Sequence, residues 1–379
     1  MSLADQFSTI DACRCCFMCR HVCTLGVVSG KESDTPRGRG IILFKILKGY
    51  ADYNDELIDA VYRCCLCGLC ETWCQAKCSP PTAVLEARRE IAAQGRTPAE
   101  VAQIRENIFT QGNPFGLPRE ERFQAIDAAD AVGRRSDVLY YVGCDAAYHR
   151  PEIANAFLKI LRAAGVSVSM LPDEHSTGKP LLTLGYQDDA RTTAQSLLQQ
   201  ICDTSCKTVV TTCPSSFDAL TRDYPALGLD MSGIEVLHAA SYLQRLAAQN
   251  KLPSLKAMPG DVTLLDDTYL GRHHKLFDAP RQALQRIPQL TLREMAWSRE
   301  LAYACGEPGG VFQLLHPDLS VRLAQRVLDE AARTGAETLA TSCPITKNIL
   351  LQGNDTHLKL RDVVELVADA LSVKPVVSR

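Results

Sequence analysis

Eight cysteines carry the clearest chemical signal in this chain. Cys13, Cys16, Cys19 and Cys23 follow the spacing C-x2-C-x2-C-x3-C, and Cys64, Cys67, Cys70 and Cys74 repeat it without change. Thiols at successive intervals of three sit on a tight loop that turns three sulfurs toward one face of a small inorganic cube. The fourth lies beyond that loop, so a run of this kind holds three corners of one [4Fe–4S] cluster and lends its last cysteine to another. Two runs complete each other. The spacing therefore assigns Cys13, Cys16, Cys19 and Cys74 to one cluster, and Cys64, Cys67, Cys70 and Cys23 to a second. Structural zinc is the competing reading, but zinc sites typically use two separated C-x2-C pairs. The proline that usually follows the fourth cysteine is Thr24 in one run and Gln75 in the other. Cys78 is followed by Ser79-Pro80 and is an alternative fourth ligand to Cys74. Cys15 and Cys65 read as non-ligating neighbours, and His21 and Trp73 as packing beside the clusters. Between the runs, Arg37 and Arg39 either offset the charge of thiolate-ligated clusters or pack the turn.

Of the 17 cysteines in 379 residues, 11 fall between Cys13 and Cys78. The odd total and the polar, acidic start SLADQFSTIDA argue against an exported disulfide framework and for reduced thiols in the cytoplasm. A formal net charge of −3 offers no basic field for nucleic acid. No uninterrupted apolar run is long enough to span a bilayer. The expected location is cytoplasmic, or peripheral at the inner membrane face through something else.

The elements that must position these thiols divide the chain into four segments. Residues 1–92 hold the cysteine runs and, between them, a helical stretch, IILFKILKGYADYNDELIDAVY. Residues 93–136 read as a linker with one helix. From Asp137, strands such as DVLYYVGC and KTVVTTC alternate with amphipathic helices (PEIANAFLKILRAAG, DDARTTAQSLLQQIC), which predicts parallel α/β sheets. The pattern occurs twice, at 137–255 and 256–379. Cys144 corresponds to Thr268, Gly178 to Gly306 and Cys213 to Cys343. The LGR and EPGG glycines read as tight loops at the carboxyl edge of the sheets. Cys202 and Cys206 read as packed in the helix before the TVVTTC strand. No phosphate-binding glycine motif occurs.

Two such runs, an intervening TPRGRG, a linker GNPFG, and the fragments LGRHHKLFDAPRQAL, ACGEPGG and TSCPIT resemble the CCG-domain iron–sulfur subunit family. That family includes the iron–sulfur subunits of glycolate oxidase and anaerobic glycerol-3-phosphate dehydrogenase, and the catalytic subunit of heterodisulfide reductase. The resemblance covers essentially the whole chain. It implies a multi-domain α+β fold: a helical, ferredoxin-type N-terminal domain with two [4Fe–4S] clusters, then two CCG-type α/β halves with parallel sheets. It also implies an electron-transfer subunit of an oxidoreductase complex, fed by an FAD-linked flavoprotein dehydrogenase and discharging to a quinone or a soluble carrier. The alternative is a catalytic reductase, like heterodisulfide reductase, with substrate or an extra cluster between the halves.

In that family each half carries Cys, then Cys-Cys-Gly, then Cys-Pro-x-Cys. Here the first half reads Cys144, Ser176-Thr177-Gly178 and Cys213-Pro214-Ser215-Ser216; the second reads Thr268, Ala304-Cys305-Gly306 and Cys343-Pro344-Ile345-Thr346. Two thiols of five remain in each, too few for a cluster within one half. Cys144, Cys213, Cys305 and Cys343 together would suffice for one shared third cluster; the competing reading is four buried remnants packed as small apolar side chains. His149, His175, His273, His274 and His316 lie near the degenerate positions. They are either replacement ligands or histidines satisfied by ordinary hydrogen bonds.

Overall fold

A computed structural model describes residues 2–128 and 131–372; residues 129–130 of the linker segment and 373–379 of the second half lie outside the described residues. Residues 2–128 form helices and loops without a strand. Thr35 caps helix Pro36–Leu47, its hydroxyl accepting from Gly38 N at 3.0 Å, with Pro36 at the first helical position. The glycines of TPRGRG allow this helix to press against its neighbours. A β-carbon at Gly40 would lie 3.0 Å from Cys13 Cβ, and one at Gly38 only 1.9 Å from the Glu32 carbonyl oxygen. The helical stretch expected across residues 41–62 is two helices. Gly49 takes a left-handed φ of +68° just after the first, and Asn54 caps the second, Asp55–Tyr62, by accepting from Leu57 N at 2.9 Å. Helices Pro80–Ala93 and Ala99–Gln111 follow.

The rest is two α/β halves, each with a parallel sheet. Strands β1 (Val138–Tyr141), β2 (Thr208–Thr211) and β3 (Glu235–His238) pair in that order. In the second half β4 (Gly260–Leu264), β5 (Leu290–Leu292), β6 (Thr338–Thr341) and β7 (Lys359–Asp362) pair in the order β5-β4-β6-β7. A parallel bridge from Leu139 to Ser169 gives the first half its counterpart of β5. The two sheets thus repeat one plan, with β1, β2 and β3 matching β4, β6 and β7. Alternation of apolar strand and amphipathic helix dictates the parallel arrangement.

The halves share one core, in which Tyr140, Phe157 and Tyr242 of the first pack with Leu264, Leu366 and Val367 of the second. Burying each such side chain stabilises by roughly 1.5–3 kcal/mol. The N-terminal helices dock on the first half: Tyr62 Oη donates to the Leu184 carbonyl at 2.9 Å, and Arg88 Nη1 to that of Thr183 at 2.8 Å. No helix among the described residues is long and apolar enough to cross a membrane.

Candidate metal centre

The first cysteine run leaves helix Phe7–Cys15 in successive turns: Cys16 N donates to the Cys13 carbonyl, and Cys23 N to that of Cys19, each at 3.1 Å. These turns keep the thiols of Cys13, Cys16 and Cys19 near one another. Burial pushes the Cys13 thiol up to about 12, reinforced by the neighbouring thiols of Cys78, Cys19, Cys74 and Cys16. Cys19 is pushed up to about 11 by burial and then by Cys16 and Cys74. The structure therefore brings Cys74, from the second run, beside Cys13, Cys16 and Cys19. Cys78 shares that neighbourhood, and its amide donates to Cys74 Sγ at 3.3 Å. Both candidates for the fourth position stand at this set.

Left-handed backbone at Leu66 (φ +55°) and Gly68 (φ +73°) coils the loop that bears Cys64, Cys67 and Cys70. Cys23 lies across from it. Burial pushes the Cys23 thiol up to about 12; Arg39 opposes this, and Cys67 and Cys64 add to it. Cys70 is raised by burial, then by Cys67, Cys64, Cys23 and Cys19, so it also links the two sets. Cys13, Cys23, Cys64, Cys67 and Cys70 line one cavity of about 40 Å³. Among the described residues no three ligating side chains converge on a single point. The thiolates of a cubane grip the corners of a cube instead.

Buried positive charge fits that donor set. Arg39 is buried and within electrostatic reach of Cys64 and Cys23; it donates to the carbonyls of Ala60 (2.9 Å) and Asp34 (2.7 Å). Arg88 donates to the carbonyls of Val61, Tyr62 and Cys64. Arg272 donates to the Cys67 carbonyl at 2.7 Å. A hydrogen bond from Cys65, then Arg272, holds the Cys67 thiol below the usual thiol range against the effect of burial. A cubane on four thiolates would be anionic, and the three guanidiniums at this donor set would offset the cost of burying that charge. Arg37, by contrast, is half-buried, pairs with Glu32 at 2.9 Å and lies over the Phe17 ring. His21 and Trp73 stack edge to face at 5.3 Å, and Trp73 continues to Trp297 at 6.4 Å. Cys15 is exposed, and Cys65 is buried against Cys67.

In the α/β halves, Cys144 starts helix Cys144–Tyr148, and Arg122 Nη1 lies 3.6 Å from its sulfur. Arg122 is paired with Glu174 at 2.5 Å, and Glu174 accepts from Val142 N (2.8 Å) and Gly143 N (3.0 Å). Across the second half, Glu307 accepts from Thr268 Oγ1, from Cys305 N at 3.0 Å and from Cys305 Sγ at 3.6 Å. Asp267 beside it is pushed up to about 7 by burial and by the Glu307 charge. Cys343 is raised by burial, then by Asp267 and by Cys213 of the other half. Cys213 and Cys343 thus meet across the halves, whereas Cys144 faces the Arg122 guanidinium and Cys305 the buried Glu307 carboxylate.

A model of the cysteine-rich domain CCG matches residues 138–217 and again 266–347. The chain carries two copies of the cysteine-rich domain CCG. One subunit of the dihydromethanophenazine:CoB–CoM heterodisulfide reductase of Methanosarcina mazei is 29% identical, over 98% of this chain and 96% of its own length. The probable iron-sulfur-binding oxidoreductase FadF of Bacillus subtilis is 28% identical, over 84% of this chain and 48% of its own. The EtfAB:quinone oxidoreductase of Syntrophomonas wolfei is 25% identical over 83% of this chain and 47% of its own. Among solved structures, a hypothetical protein from Helicobacter pylori superposes with a TM-score of 0.57 at 9% identity, covering 89% of this chain and 68% of its own, a likeness of fold.

Within the CCG copies His175, His273 and His274 have hydrogen-bond partners, whereas His149 Nδ1 and His316 Nε2 are buried without one among the described residues. His149 packs on Phe115 at 4.2 Å, and His175 bonds Ser196 Oγ at 3.1 Å. His273 and His274 face Asp218, and His316 packs against Phe312 at 5.3 Å. Two readings of the CCG segments need correction. Cys202 is exposed on helix Gln187–Asp203, because it falls on the face turned from the sheet, while Cys206 is buried in the loop after that helix. LGR lies inside the wide helical turn Thr268–His273, which Asp267 caps through Tyr269 N at 2.8 Å, and not in a loop. Sequence reasoning missed Arg88, Arg122, Glu174 and Glu307. Of these only Glu307, inside ACGEPGG, carried any signal.

Proposed function

We propose that this chain is the iron–sulfur electron-transfer subunit of an oxidoreductase complex. One [4Fe–4S] cluster sits on Cys13, Cys16, Cys19 and Cys74, with Cys78 as the alternative to Cys74, and the other on Cys64, Cys67, Cys70 and Cys23. The clusters supply one-electron transfer when bound; the chain's own residues hold them, balance their charge and dock the partner. The observation that carries the reading is the crossing of the two runs, Cys23 beside Cys64 and Cys67 and Cys74 beside Cys13 and Cys19. An FAD-linked flavoprotein dehydrogenase is the donor, and a quinone or a soluble carrier the acceptor. The names of relatives, iron–sulfur oxidoreductases and a quinone oxidoreductase, support this division of labour. The location that goes with it is cytoplasmic, at the inner membrane face where the acceptor is a quinone. Purification from the native cell tests the reading: a flavoprotein should elute with this chain at constant FAD-to-iron ratio, and a chain that elutes alone in every gentle extraction contradicts it.

A reductase with a cluster between the halves has less support. Glu307 already takes the donors of Thr268, which stands in place of a cysteine, and of Cys305 beside it.

A further inference from the structure

A second, larger cavity adjoins the loop of Cys64, Cys67 and Cys70, and electron transfer alone gives it no role. It measures about 320 Å³, and three parts of the chain meet there: Leu66 and Gly68 of the thiol loop, Lys179 and Asp218 of the first half, and Tyr269 and His273 of the second. Lys179 is buried, its Nζ 2.5 Å from Asp218 and 2.6 Å from Asp223, under the Tyr269 ring at 4.6 Å. His273 Nδ1 and His274 Nε2 lie 3.4 and 2.9 Å from Asp218 Oδ1. The other nitrogen of His273 points at the thiol loop: a β-carbon at Gly68 would lie 4.0 Å from His273 Nε2.

The charges around the cavity balance, Arg89, Lys179 and Arg222 against Glu71, Asp218 and Asp223. A site with balanced charge does not select an anion or a cation. Its remaining polar groups are His273, Tyr269, Gln187, and Ser79 and Thr82, which are hydrogen-bonded to each other, and its walls are apolar at Pro81, Leu85 and Leu182. Such a lining suits a neutral, flat molecule whose oxygens accept hydrogen bonds. We propose that this cavity binds the head group of a quinone. The proposal rests on the electron-transfer reading above and selects one of its two acceptors. Conversion of a quinone to its quinol takes two electrons and two protons. The partner's substrate supplies both electrons; both protons come from water at the exposed rim beside Arg222 and pass through His273 of the cavity lining, while Lys179 stays held between Asp218 and Asp223.

The test is calorimetric titration of menadione, a soluble naphthoquinone, into the oxidised, anaerobically purified protein. Menadione should bind the parent. Leu85→Trp and Thr82→Trp, which fill the cavity from one wall, should each weaken it at least about tenfold. Absence of menadione binding to the parent, or unchanged affinity in the folded tryptophan variants, overturns the proposal. Iron is counted on the same samples: a parent that binds menadione but lacks two clusters overturns the electron-transfer reading and leaves the site standing.

Discussion

Cys23→Ser isolates the crossed ligation from any effect on folding. Cys23 caps helix Thr24–Ser29, its sulfur accepting from Gly26 N at 3.5 Å. Serine is among the favoured capping residues, so the helix keeps its cap and the lost soft ligand is the whole perturbation. The variant should fall from about eight iron atoms per chain to about four, the content of one cubane. Which cluster is lost follows from combining variants. Cys23→Ser with Cys67→Ser should lose no more iron than either alone, because both remove ligands from one cluster. Cys23→Ser with Cys16→Ser should lose nearly all of it. Iron content and the EPR of the reduced protein read the outcome. If the Cys23/Cys16 pair keeps about four iron atoms while the Cys23/Cys67 pair keeps none, each run serves its own cluster and the reasoning fails.

Three further outcomes follow. Cys74→Ser should remove the cluster of Cys13, Cys16 and Cys19 while Cys78→Ser leaves it, and the reverse result by iron analysis moves the fourth ligand to Cys78. Replacing Cys144, Cys213, Cys305 and Cys343 together by serine should leave iron at the two-cluster level; a loss of about four atoms would reveal a third cluster. Arg39→Gln should lower the reduction potential of the cluster beside it, read by potentiometric EPR titration. One charge at about 7 Å and an effective dielectric of about 20 is worth ~2 kcal/mol, on the order of 100 mV for one electron, and an unchanged potential would refute the charge-balancing role.

The pieces legible in the sequence were those with a period or a spacing. Apolar strands alternating with amphipathic helices announced two parallel sheets, and the repeated positions Cys144/Thr268 and Cys213/Cys343 announced their duplication. The break between helices Pro36–Leu47 and Asp55–Tyr62 was hidden, because apolar periodicity runs on through a glycine that the backbone uses in the left-handed region. Arg39 was named from the sequence, but two further arginines beside the thiols were hidden for a different reason. Arg272 stands on a helical turn 205 residues from Cys67, and Arg88 on a helix 24 residues past Cys64; only packing of these elements brings their guanidiniums to the thiol loop. The fate of the degenerate CCG positions was equally invisible: loss of cysteines could be counted, but not the pairing of Thr268 with the buried Glu307.

Two-cluster ligation is tested most directly by metal analysis of the anaerobically purified protein, read with its EPR spectrum. About eight iron atoms and about eight acid-labile sulfides per chain are expected, and in the reduced protein the spectrum of two interacting [4Fe–4S]⁺ centres. Stoichiometric zinc, or iron that saturates near four atoms per chain, would contradict it.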